Sequence, residues 1–149
     1  MKTNSLRILY TDDDPDDFDL FREGMLQVAP QHTLHYLQHS KNFVAEVREF
    51  LPDLIFLDYN MPLCDGKDCL LAIKADPAFK HIPIVMYCTS SSNITLTECF
   101  ELGAARYLLK PVDYAGICKG LELLFDLYYT GSLLGSEFDH FFINTYKMN

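Results

Sequence analysis

Short apolar runs alternate with amphipathic stretches along this chain. The first run, Leu6 to Tyr10, predicts a strand and leads into Asp12-Asp13-Asp14. Asp14-Pro15 reads as a helix start, a capping residue followed by Pro at the first helical position. Asp17, three residues after Asp14, makes this close to a capping box. Phe18, Phe21, Met25 and Leu26 recur at helical spacing, and Pro30 closes the unit. A second strand is expected near Thr33 to Gln38. A second helix is expected from about Lys41 to Phe50, with Phe43, Val47 and Phe50 or Leu51 inward. Leu54, Ile55, Phe56 and Leu57 form a run with no polar face, the pattern of a strand buried on both sides. Asp58 ends it, Met61-Pro62 keeps the strand from continuing, and Asp65-Gly66 closes the loop. A third helix spans about Lys67 to Ala75, a fourth strand Ile84 to Cys88, and a fourth helix Asn93 to Leu102 with Gly103 as its stop. A fifth strand, Arg106 to Leu109, and a fifth helix, Asp113 to Tyr129 ended by Gly131, complete the series.

Strands this short and apolar cannot leave one face wet. Alternating strand–helix units then imply right-handed crossovers and a parallel sheet covered on both sides. The fold class is α/β, a doubly wound (βα)5 sheet with strand order 2-1-3-4-5, the common solution at this size. Residues 1–130 account for one domain. Residues 131–149 are surplus to five units and strongly aromatic, with Phe138, Phe141, Phe142, Ile143 and Tyr146. Ser136 with Asp139 resembles a helix cap. This C-terminal extension is expected to pack on its own domain near the fifth helix, or across a homodimer. No separate output domain is expected.

Composition narrows the classes. A chain of 149 residues buries roughly 68–70% of its unfolded surface as one domain. Arg7 interrupts the first apolar run, which is too short for a secretory signal. No run approaches the ~18 residues of a membrane helix. A formal charge of −9 without a Lys/Arg cluster argues against direct nucleic-acid binding. The five cysteines are odd in number, lack a CxxC pair and lie mostly in apolar stretches, as reduced core thiols of a cytoplasmic protein do.

In the 2-1-3-4-5 order, strands 1 and 3 are neighbours, so Asp12, Asp13 and Asp58 converge at their carboxyl ends, where open α/β sheets collect ligands. Two carboxylates ~4 Å apart repel by about 4 kcal/mol at an effective dielectric near 20. Such a cluster must protonate or bind a cation, and an oxygen set with room for water suits Mg2+ or Mn2+. Asp16, Asp17 and Asp19 fit the plainer role of acids solvating a helix N-terminus. Lys110 follows the fifth strand and can serve as a point charge for a phosphoryl group. A carboxylate nucleophile, a divalent cation and a lysine are the parts needed to form an acyl phosphate.

On these residues the chain resembles the receiver domains of response regulators, the CheY-like phosphoacceptor half of two-component signalling, over residues 6–129. Asp12 and Asp13 match the family's acidic pair, with Asp14-Pro15 after it, and Asp58 matches the phosphoacceptor. Asn60 matches the residue whose backbone carbonyl binds the metal. Met61, Pro62 and Gly66 match the usual loop, Tyr107 the switch aromatic, and Lys110-Pro111 the Lys-Pro pair, whose peptide bond is typically cis in the family. The resemblance implies a cytoplasmic switch. A histidine kinase or histidine phosphotransfer protein hands a phosphoryl group to Asp58 with Mg2+ bound, and protein–protein contacts carry the output, with no membrane or direct nucleic-acid partner. It implies no turnover enzyme, only slow self-phosphorylation from small donors and slow self-dephosphorylation.

One position departs from the pattern. The family's Thr or Ser at the end of strand 4 falls on Cys88, counted forward from Asp58 or back from Lys110, and Thr89 follows it. Either Cys88 takes the role with a weaker S–H donor, or strand 4 shifts by one and Thr89 does. Three rival readings remain. A receiver that takes no phosphoryl group would be a fixed docking module. An aspartate-nucleophile phosphatase usually needs a second acid two residues after the nucleophile, where this chain has Asn60. A flavodoxin-like cofactor carrier would bring its phosphate against Asp12-Asp13-Asp14.

Overall fold

Asp58 owes its position to a strand that no water reaches. Leu54–Leu57 (β3) has all four residues buried, at the centre of a sheet whose strands are all parallel. The structure, a computed structural model, describes residues 5–61 and 65–147. Pro62 of the expected loop lies outside the described residues. The other strands are Arg7–Thr11 (β1), Thr33–Leu37 (β2), Ile84–Cys88 (β4), Arg106–Leu109 (β5) and Phe142–Ile143 (β6), in the order β2-β1-β3-β4-β5-β6. The helices are Pro15–Val28 (α1), Phe43–Phe50 (α2), Gly66–Lys74 (α3), Asn93–Glu101 (α4), Tyr114–Thr130 (α5) and Phe138–Phe141 (α6). None is long and apolar enough to cross a membrane.

Alternation along the strands makes two cores. Ile8, Tyr10, Leu54, Phe56, Val85, Tyr87 and Leu108 face α1 and α5, where Phe21, Ile117 and Leu121 meet them. Leu9, Ile55, Leu57, Ile84, Met86, Cys88 and Tyr107 face α2, α3 and α4. The two helices of the first layer approach so closely at Gly24 that a Cβ there would lie 2.7 Å from Ile117 Cγ2.

Several local expectations need correction. The sheet has six strands rather than five, because the extension returns along the β5 edge: Tyr107 pairs with Phe142 and Leu108 with Ile143. Phe141 and Ile143 are buried, and the Arg106 guanidinium ties the segment down by donating to the carbonyls of Ser132, Leu133 and His140. Ser136 does not cap α6; Glu137 stands at the cap position, with no side-chain bond. Leu26 is exposed although Met25 is buried, since adjacent helical positions diverge by about 100°. At the end of α2 it is Phe50 that packs inward, under the Arg7 guanidinium, while Leu51 turns to solvent in a left-handed conformation. Among the described residues no peptide bond is cis. Lys110–Pro111 is therefore trans, the form an X–Pro bond prefers by about 0.5–1 kcal/mol.

Candidate functional site

Backbone bonds between neighbouring strands fix the three strand ends that carry the chemistry. The Asp58 N–H donates to the Thr11 carbonyl at 3.0 Å, and the Lys110 N–H to the Cys88 carbonyl at 2.8 Å. From the other side, the Gly66 N–H donates to the Tyr59 carbonyl at 2.7 Å. Gly66 presses so tightly on this loop that a Cβ would lie 2.2 Å from the Asp58 carbonyl oxygen. Asp65 caps α3 by accepting from the Asp68 N–H, which seats Gly66 at the helix start.

Asp12, Asp13 and Asp58 come together as the strand order requires, with one carboxylate oxygen of each within 4.8 Å of the others. Asp12 is 1% exposed and Asp58 9%. Asp12 is held on every side. Its Oδ2 accepts from the Tyr10 hydroxyl and from Lys110, its Oδ1 from the Asp14 N–H, and its backbone carbonyl from the Tyr36 hydroxyl. The Asp58 contacts are longer, 3.3 Å from the Asn60 N–H and 3.4 Å from Lys110 Nζ. Burial pushes the Asp58 carboxyl up to about 6, with Lys110 pulling it down, Asp12 pushing it up and the Asn60 N–H pulling it down.

Lys110 reaches across the pocket with its side chain 8% exposed. Its Nζ lies 2.7 Å from Asp12 Oδ2, 2.8 Å from Asp17 Oδ2 and 3.4 Å from Asp58 Oδ2. Burial works against its charge, but the hydrogen bonds to Asp12 and Asp17 and the charges of Asp58 and Asp12 outweigh it and raise the ammonium above its ordinary value. Three clustered carboxylates and Asp17 against one ammonium leave the pocket strongly negative. That donor set fits a hard divalent cation. Oxygens around one Mg2+ at about 2.0–2.1 Å stand within the spacing found here. With Asp12 largely occupied, Asp13 and Asp58 offer the freer oxygens.

Cys88 sits at the end of β4 with its thiol fully buried, and its Sγ accepts from the Tyr59 N–H at 3.3 Å and stands 3.9 Å from the Leu57 carbonyl. Burial, followed by the Asp58 charge, pushes this thiol up, so it stays neutral. Thr89 is exposed. Tyr107 is fully buried, and its hydroxyl donates to the Ser90 carbonyl at 2.6 Å. Pro111 lies over the start of α5 beside Gly116.

Two features escaped the sequence reading. Asp17 belongs to the pocket rather than to a solvated helix start. The Tyr59 hydroxyl donates to Glu98, which also takes Lys67 at 2.9 Å, so the residue after Asp58 is linked to α3 and α4. A tyrosine next to the acid was the available signal for the second.

Residues 8–122 match the Response regulator receiver domain family. The chain is 37% identical to the two-component response regulator ARR7 of Arabidopsis thaliana over 54% of this chain and 39% of that one. It is 31% identical to response regulator Rcp1 of Synechocystis over 69% of this chain and 64% of that one. The matched stretch thus spans less than two thirds of either relative. Among solved structures, the phosphorylated cyanobacterial phytochrome response regulator RcpA superposes with a TM-score of 0.78 at 25% identity, over 89% of this chain and 99% of that one. The Mn2+-bound form of Rcp1 gives 0.75 at 27%, over 88% and 99%. With the acids at the ends of the neighbouring strands β1 and β3 and the lysine at the end of β5, all on one edge of a CheY-like sheet, the chain belongs to the response regulator receiver family and carries the receiver domain of a two-component system.

Proposed function

We propose that Asp58 accepts a phosphoryl group from the phosphohistidine of a histidine kinase or histidine phosphotransfer protein, and that the modified chain signals through protein–protein contacts. The observation that carries the reading is the Asp58 carboxylate, at a strand end between two acids and Lys110. An Asp58 oxygen attacks phosphorus, the P–N bond breaks, and its electron pair leaves with the imidazole, giving an acyl phosphate. A Mg2+ or Mn2+ held by Asp12, Asp13, Asp58 and the Asn60 carbonyl would neutralise the charge that gathers on the oxygens. Lys110 supplies a fixed positive charge to the transferred group. RcpA has been crystallised phosphorylated and Rcp1 with Mn2+, which supports both halves of the reading for this chain.

The chain acts as a switch rather than a turnover enzyme. Two residues after Asp58 stands Asn60, which offers no carboxyl to activate water, so the acyl phosphate hydrolyses slowly. The buried cysteines Cys69, Cys88 and Cys99 form no disulfide, which fits a reducing, cytoplasmic setting. The receiver domain ends with α5, and the segment after it is an extension folded back onto that domain.

One observation favours a second reading, the fixed docking module. Tyr107 is already buried, with its hydroxyl on Ser90, before any modification. Incubation with acetyl phosphate and Mg2+ followed by intact-mass measurement separates the two. Wild type should gain one phosphoryl group and Asp58→Asn none. A wild-type chain that gains nothing leaves the docking module.

A further inference from the structure

Lys110 has a partner that the acidic cluster does not explain. Its Nζ is as close to Asp17 as to Asp12, 2.8 against 2.7 Å, and farther from Asp58 at 3.4 Å. Asp17 lies at the third position of α1. An acid there ordinarily reaches back to the N–H of the capping residue. In this chain that donor is taken, because the Asp14 N–H bonds Asp12 Oδ1 at 3.1 Å, while the Asp14 carboxylate caps the helix by accepting from the Asp16 N–H at 2.9 Å. Relieved of the cap, the Asp17 carboxylate turns into the pocket.

An ammonium has three donors, and here three carboxylates surround it. A phosphoryl group on Asp58 adds oxygens and charge on the side of Lys110 that now holds only the long 3.4 Å contact, so it draws the ammonium away from its nearer acceptors, Asp12 and Asp17. Asp12 is poorly placed to give it up, being buried and held by Tyr10 as well. The Asp17 side chain is 34% exposed and can take water in place of Lys110.

We propose that Asp17 is a positioning residue for Lys110: it holds the ammonium on the α1 side of the pocket while Asp58 is unmodified, and it competes with the phosphoryl group for it. The inference rests on Asp58 as phosphoacceptor. It makes Asp17 a setting on the balance between the unmodified and modified states, since weakening its hold favours the modified one. Asp16, one residue earlier and exposed, carries the same charge on the same helix turn without touching Lys110.

The test is a titration of the full chain with beryllofluoride and Mg2+, followed by NMR, for wild type, Asp17→Asn, Asp17→Ser and Asp16→Asn. Both Asp17 variants should bind the phosphoryl mimic roughly three- to fivefold more tightly, the size of one half-exposed ion pair, while Asp16→Asn stays near wild type. In the unmodified protein, hydrogen exchange of the Lys110 ammonium should speed up severalfold in the Asp17 variants alone. Equal affinities and equal exchange in the Asp17 and Asp16 variants would overturn the inference, because Asp17 would then be one more helix-start acid. A wild-type chain that neither binds beryllofluoride nor gains mass from acetyl phosphate overturns the reading of Asp58 and this inference with it. Binding by wild type with unchanged Asp17 variants overturns this inference alone.

Discussion

Phe141 packs against Tyr107 with ring centroids 6.3 Å apart, and both rings are fully buried. Phe100 of α4 meets Phe141 at 5.3 Å and Phe138 at 5.3 Å. The C-terminal segment therefore completes the packing around the aromatic residue of β5 instead of lying beside the domain. Its backbone adds to the sheet, and Arg106 locks it through three carbonyls.

Truncation of that aromatic contact should be expensive. Phe141→Ala leaves a cavity on the α4 side of the sheet and should cost about 3–5 kcal/mol, read as a lower urea midpoint with an unchanged slope. The NMR signals of Tyr107 should move with it. An unaltered midpoint and an unaltered Tyr107 spectrum would mean that the segment contributes nothing to the folded state.

Mg2+ should raise the melting temperature, because a cation that binds only the folded pocket stabilises it by mass action, about 2.7 kcal/mol at a hundredfold excess over the dissociation constant. Asp13→Ala removes one of the two freer carboxylates and should erase the rise. An equal rise in both proteins would locate the cation away from Asp13.

His32 predicts the acid side of the stability curve. Its Nδ1 accepts from the Leu6 N–H at 3.0 Å, which requires a neutral ring, and its protonation is disfavoured first by burial, against the opposing pull of Asp53. The folded value therefore lies below the ordinary 6.5. The unfolded chain binds the proton first, so this stabilisation is complete above about 6.5 and is lost as pH falls below it. Urea midpoints measured between about pH 7 and 5.5 should fall more steeply for wild type than for His32→Gln. Parallel slopes would rule His32 out as a contributor.

Much of this could be read from the residues. The apolar runs named β1, β3, β4 and β5 because these strands are mostly buried, whereas β2 is a half-exposed edge, and the acids or lysine closing three of them named the pocket because parallel strands share one carboxyl edge. The sixth strand was hidden because two residues carry no periodicity. Asp17 was hidden because three acids at one helix start look alike, and only the diversion of the Asp14 N–H to Asp12 distinguishes it. The trans bond before Pro111 was hidden because composition does not choose an isomer.

Cys88 yields the prediction that bears most directly on switching. Its Sγ takes the Tyr59 N–H, and the Leu57 carbonyl lies at 3.9 Å, so the thiol is keyed to the backbone on both sides of Asp58. Cys88→Ala leaves the Tyr59 N–H without that acceptor and should cost about 1–3 kcal/mol. Thr89→Ala alters an exposed side chain and should stay within about 0.5 kcal/mol. A thiol is a weaker donor than a hydroxyl, so wild type should couple beryllofluoride binding only loosely to Tyr107. Cys88→Ser keeps the acceptor, strengthens the donor and fits the same volume. It should enlarge the NMR response of Tyr107 to beryllofluoride, and Cys88→Thr should do so where its added methyl is accommodated. The opposite pattern, with Thr89→Ala abolishing the response and Cys88→Ala leaving it intact, would assign the role to Thr89 and detach Cys88 from the switch.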